Sequence, residues 1–175
     1  IEMRKEDGEA SSMLSSFFRN YELIYVLADE RDIIRMPPNY RVPRQQVYIY
    51  RTRLPIDDQR RMFLCYVARM NALAQTSETY NALGDNCTTG VLERTRAYKV
   101  RARYNWKVLL SGHAAGCAYE MGMLDNSMPF AELRERCLVN ARAELADDAD
   151  DFSSPIRDGI PRPEPYTLQD FESGL

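Results

Sequence analysis

Along the first fifty residues the apolar side chains come in short runs broken by polar and turn-forming residues, which is the spacing of strands. Ile1 to Arg4 reads as a short strand leading into a turn at Asp7-Gly8-Glu9. Residues 11–20 read as irregular or briefly helical. Glu22 to Ala28 is a continuous apolar run of the kind a buried strand carries, Asp29-Glu30-Arg31 a tight polar turn, and Asp32 to Met36 its hairpin partner, stopped by Pro37 and Pro38. Gln46 to Arg51 alternates large apolar and polar residues and predicts a half-buried strand.

From Asp57 the period changes. Phe63, Tyr66, Val67, Met70, Leu73 and Ala74 fall on one helical face, with Asp57 the expected N-cap. A second helix is expected from Thr88 to Tyr98. The cations at its end and in the following segment, Arg94, Arg96, Lys99, Arg101 and Arg103, suit a solvated helix end better than an anion site. Trp106 to Leu110 is a short apolar run. Ala114 to Met121 reads as a helix of small residues ending at Gly122. Another helix opens at Pro129 with Ser127 as cap and runs to Leu145, with Phe130, Leu133, Cys137, Ala141 and Leu145 on its inner face. The aspartates at 147, 148, 150 and 151 oppose the helix dipole and lack the glycine and terminal glutamate of a calcium loop, so they read as a helix stop and solvated turn.

The chain of 175 residues is long enough for one core, and the expected organisation is a single domain over 1–160 with an extended proline-rich tail over 161–175. The formal net charge is −3 and the arginines are interleaved with carboxylates, so no nucleic-acid footprint is visible. No apolar run is long enough to span a bilayer and no secretory signal opens the chain. The start at Ile1 followed by Glu2, Arg4, Lys5, Glu6 and Asp7 reads as a strand end entering a loop, as in a trimmed product. Cys65, Cys87, Cys117 and Cys137 show no CxxC spacing or clustered histidines, so neither a structural zinc nor any other metal or cofactor is expected. In an oxidising compartment one disulfide is allowed, Cys117 with Cys137 being the least implausible pair.

One cysteine stands apart. The run Tyr80-Asn-Ala-Leu-Gly-Asp-Asn-Cys87-Thr-Thr-Gly90 places Cys87 where a polar turn hands over to a new apolar pattern at Val91 and Leu92. With Asp85 or Asn86 as N-cap, Cys87 falls in the first helical turn, where unpaired N–H groups and the positive end of the helix dipole favour a thiolate. Backbone amides of Cys87 and Thr88 are then available to an oxyanion. Packing or a disulfide is the competing role for Cys87. A cysteine hydrolase also needs a base, and the chain has one histidine, His113, for which a structural role at a helix start is the stronger reading. Glu2, Glu6 and Glu22 are the carboxylates available to orient or replace such a base.

The segments Ile1-Glu-Met-Arg-Lys-Glu-Asp-Gly-Glu9, Phe18 to Arg35 and Tyr80 to Thr89 resemble the bacterial Lnb N-terminal periplasmic domain family, formerly a domain of unknown function, with similarity extending to about Pro161. The resemblance implies an envelope protein of Gram-negative bacteria. It also implies an α+β, papain-like fold of the permuted NlpC type, an antiparallel sheet followed by a helical C-terminal half. In that arrangement Cys87 matches the nucleophile, while the matching histidine would precede Ile1, on a segment that this chain lacks. Glu2 would occupy the strand after the histidine, where a polar residue orients the imidazole. Two functions follow: a cell-envelope cysteine hydrolase or acyltransferase acting on amide or ester bonds, or a non-catalytic binding or folding-helper module. The partners implied are an envelope substrate or a partner protein.

Overall fold

The structure, a computed structural model, describes residues 2–4, 22–78 and 113–167, the first three by backbone alone. It divides into two compact units, one of Ile1–Val26 with Leu54–Cys117, the other of Leu27–Arg53 with Ala118–Leu175.

In the first unit β1 (Glu2–Arg4) pairs antiparallel with β2 (Glu22–Ile24), in the register Glu2↔Ile24, Met3↔Leu23 and Arg4↔Glu22. The strand expected to reach Ala28 therefore stops at Ile24. Leu23 is buried, and its N–H donates to the Glu78 carbonyl at 2.8 Å. The main helix of this unit, α2, is Ile56–Gln75. Pro55, not Asp57, takes the N-cap position, and Asp57 and Asp58 sit in the first turn. There their charges complement the dipole and reach Arg60 and Arg61 one turn on, at 3.4 and 3.7 Å. Of the expected apolar face, Tyr66, Val67, Met70 and Leu73 are half-buried, whereas Phe63 and Ala74 are exposed and no residue of α2 is fully buried.

The second unit opens with α1 (Glu30–Ile34), where a hairpin strand was expected. The Asp29 carboxylate accepts from the Arg31 N–H at 2.9 Å, and Glu30 and Asp32 lie in the first turn. The polar residues read as a turn are thus a helix cap. A single wide π-type turn, Met36–Tyr40, carries Pro37 and buried Pro38. Residues 46–51 run extended, but their ladder is one antiparallel bridge, Tyr48↔Leu138. Helix α3 (Ala114–Glu120), whose residues to Cys117 belong to the first unit, ends as expected at Gly122, with φ +67°. The Gly122 and Met123 N–H groups return to the Tyr119 and Ala118 carbonyls, each at 2.9 Å. That double bond pair is a Schellman stop, and its positive φ favours glycine.

The long helix expected from Pro129 to Leu145 is two: α4 (Phe130–Cys137), capped at Pro129 and not at Ser127, and α5 (Asn140–Leu145). The break serves the extended segment. Ile49 N–H donates to the Cys137 carbonyl and Val139 N–H to the Val47 carbonyl, both at 2.9 Å, which Leu138 and Val139 reach only by leaving the helix. Arg142 covers carbonyls left at the end of α4, donating to Arg136 and Leu138 at 2.9 and 2.8 Å. The interruption shifts the helical phase. Leu133 and Cys137 point inward as expected, but Ala143 and Ala146 replace Ala141 and Leu145, and Leu145 is 89% exposed.

The core is Leu124, Leu133, Cys137, Val139 and Ile160, beside a second cluster of Ala143, Ala146, Phe152 and Ile156, with Ile34 and Ile49 packed against both. Past Ile160 the chain has no regular secondary structure through 167 and is held at Arg53, whose carbonyl accepts from Tyr166 N–H at 2.8 Å and whose Nε donates to the Glu164 carbonyl at 3.1 Å. The antiparallel sheet of a papain-like fold is not supported. Among the described residues, strand is limited to the three-residue pair β1 and β2 and the single bridge, and the remaining regular structure is helical.

Candidate functional site

Cys87, Asn86 and Thr88 lie outside the described residues, as does the whole run Tyr80 to Gly90. Glu2 is described by backbone alone, in β1 opposite Ile24. The last described residue group before the cysteine run is anchored in the same unit as Glu2. Glu78 gives its carbonyl to Leu23 of β2, and its carboxylate is gripped by the Arg69 guanidinium through Nη1–Oε1 at 2.5 Å and a second contact, Nη2–Oε2. The hydrogen bond from Arg69 holds the Glu78 carboxyl below its ordinary value, and the same bond raises Arg69. Tyr25 and Tyr66 pack beside this pair of elements, ring centres 6.2 Å apart.

The other thiols occupy different surroundings. Cys65 is exposed on α2 and Cys117 is buried in α3. Cys137 is wholly buried, and burial pushes its thiol up to about 11. It is a free thiol, so the Cys117 to Cys137 disulfide is not made. His113 is exposed immediately before α3.

The densest polar cluster with described geometry surrounds Asp147, just past the C-terminus of α5. Its carboxylate accepts from Asn39 Nδ2 at 2.6 Å and Tyr40 Oη at 2.5 Å, with Arg35 Nε at 3.8 Å. Those hydrogen bonds, Tyr40 first, hold the Asp147 carboxyl low, and Asp147 in turn raises the Tyr40 phenol. Arg35 and Arg31 donate to the Asp147 carbonyl at 3.1 and 3.5 Å, and Arg31 also to Ala149 and, at 3.0 Å, to Asp150. The arginines of α1 thus supply positive charge and donors where a helix C-terminus lacks both. Asp147 is therefore engaged, not the solvated turn residue expected, and the cluster is a structural clasp. Arg31 and Arg35, four residues apart, signal it only when that segment is read as a helix.

Two open clefts flank the clasp. One of about 420 Å³ is lined by Asp29, Arg31, Asp32, Asp150, Asp151, Phe152 and Ser153, the other of about 370 Å³ by Asn39, Tyr40, Arg44, Glu144 and Asp147. Among the described residues no cluster of His, Cys, Asp and Glu has a metal-binding arrangement. No described helix is long and apolar enough to cross a membrane.

The Lnb N-terminal periplasmic domain family matches residues 1–112. The chain belongs to that family. The Lnb N-terminal domain match is shorter than the span to Pro161 expected from the sequence, and it assigns the protein to the periplasm. It contains Glu2 and the Cys87 run and ends one residue before His113, so α3, α4, α5 and Asp147 lie beyond it, whereas Arg31, Arg35, Asn39 and Tyr40, the partners of Asp147, lie within it. No curated protein and no solved structure matches the chain.

Proposed function

We propose that this periplasmic domain is a cysteine hydrolase or acyltransferase that cleaves amide or ester bonds in the cell envelope through the Cys87 thiolate. The observation that supports the reading is the contrast among thiols. Cys137 is sealed and pushed up to about 11, the wrong direction for a nucleophile, whereas Cys87 lies inside the family match, at a turn-to-helix sequence that favours ionisation. In the proposed reaction the thiolate sulfur bonds to the substrate carbonyl carbon, and the N–H groups of Cys87 and Thr88 receive the oxyanion. The carbon–nitrogen or carbon–oxygen bond then breaks, the leaving group takes a proton from the catalytic acid, and a thioester remains. Attack by water, with its proton passing to the same group, releases the acid and restores the thiol. The base is His113 or a histidine contributed by a segment preceding Ile1, and Glu2 orients it.

A non-catalytic binding or folding-helper role is the second reading. It is favoured by the apolar side chains that α2 leaves in solvent, with Phe63 55% and Leu64 64% exposed. Incubation with p-nitrophenyl esters separates the two. The hydrolase reading expects a stoichiometric burst of p-nitrophenolate and an acyl adduct on Cys87 by mass spectrometry. Cys87→Ser and Cys87→Ala keep the wild-type circular dichroism and lose the burst. A folded wild-type protein with no burst and no adduct contradicts the enzyme and leaves the binding module. Persistence of the burst in His113→Gln assigns the base to another group.

A further inference from the structure

Among the described residues, the extended segment 46–51 is paired along one edge only. Val47 and Ile49 turn their backbone groups toward the Cys137 to Val139 stretch, and the Val47 N–H donates to Asn140 Oδ1 at 2.9 Å. Backbone polarity alternates along a strand, so Tyr48 and Tyr50 present their N–H and carbonyl groups to the opposite edge. Among the described residues those four groups have no hydrogen-bond partner. The Tyr48 and Tyr50 rings lie on one face, stacked with centres 6.3 Å apart and planes 15° from parallel, the spacing of residues i and i+2 in an extended chain. Val47, Ile49 and the partly buried Tyr50 pack against the core cluster, which fixes the segment.

Two further observations bear on what this edge would take. The Arg134 guanidinium stands 5.0 Å over the Tyr48 ring, and Arg51 has a buried Nε with no acceptor. Neither arginine is in an ion pair among the described residues; Arg134 brings its charge to the face that carries the tyrosines, whereas Arg51 alternates onto the side of Val47 and Ile49. Farther along the same run, Arg53 already holds another stretch of this chain, through the bonds to Tyr166 and Glu164.

We propose that the Tyr48–Tyr50 edge binds an extended, acidic peptide segment of a partner protein by strand addition. Main-chain bonds to Tyr48 and Tyr50 supply the register, and alternate peptide side chains, the carboxylates, lie on the face of the stacked tyrosines within reach of Arg134. A peptide is favoured over a sugar polymer because the unmet groups are alternating backbone donors and acceptors at strand spacing. The site is independent of Cys87.

The test uses the full chain with a capped octapeptide of alternating glutamate and valine, and the same peptide N-methylated on the edge that would pair. The glutamate peptide is expected to slow amide hydrogen exchange at Tyr48 and Tyr50 by about tenfold or more at saturation. N-methylation abolishes the effect, and Arg134→Ala weakens binding by about fivefold, with a reduced salt dependence. Equal binding of the N-methylated peptide overturns strand addition. No slowing at millimolar peptide, or slowing produced instead by a β-1,4-linked N-acetylglucosamine tetramer, overturns the peptide as occupant.

Discussion

Helices α2 and α4 carry apolar residues at the same spacing, yet one buries nothing completely and the other is the pillar of a core. Over the twenty residues of α2, the apolar side chains are half-buried or exposed, and its N-terminal end is secured by first-turn aspartates and i,i+3 ion pairs. The eight residues of α4 place Leu133 and Cys137 among Leu124, Val139 and Ile160. A helix of twenty residues draws appreciable stability from its own hydrogen bonds, whereas one of eight exists only because tertiary contacts fix it. Periodicity therefore finds a helix without saying how deep it sits.

The largest expected effect is in the short helix. Leu133→Ala removes a side chain from the closed cluster and is expected to cost about 2–5 kcal/mol in denaturant unfolding, whereas Phe63→Ala on α2 should stay within about 0.5 kcal/mol. Equal losses at the two positions would break the contrast.

A second difference lies in how the two regions respond to alkali. Because burial pushes the Cys137 thiol up to about 11, its contribution is complete below the ordinary thiol value of about 8.5 and is lost as pH rises through the folded value. Melting temperature should fall across that window, less steeply in Cys137→Ala, whereas α2 has no fully buried residue.

The clasp behind α5 adds an acid limb. Asp147 is held below the ordinary aspartate value of about 3.9 by Tyr40 and Asn39, so its stabilisation is full above that value and is lost as pH falls through the folded one. Asp147→Asn should flatten the acid side of a melting curve taken from pH 5 to 2. An unchanged slope would show that the hydrogen bonds to Asp147 contribute nothing to stability.

The elements most legible in the sequence were those with local signals. The α2 period and the Gly122 stop need only nearby residues. The strands expected at Asp32 to Met36 and Gln46 to Arg51 failed for two reasons. Ile33 and Ile34 are compatible with either structure, and Asp29 decided for a helix through a capping bond. The second segment has strand alternation but only one bridge partner, which no local pattern reveals. The division of the Pro129 to Leu145 helix depends on hydrogen bonds to residues 47 and 49, some ninety positions away. The Asp147 clasp was hidden for the same reason. Of the candidate site, Glu2 appears in the strand expected for it, while Cys87, Asn86 and Thr88 lie outside the described residues.

The most direct test of the account is site-resolved alkylation of the native protein with iodoacetamide from pH 5 to 10. Cys87 is expected to react with a midpoint well below about 8.5 and faster than Cys65 at neutral pH, with Cys137 unlabelled until unfolding. A Cys87 profile no lower than that of Cys65, or no reaction until the protein unfolds, would contradict the nucleophile at the centre of the proposal.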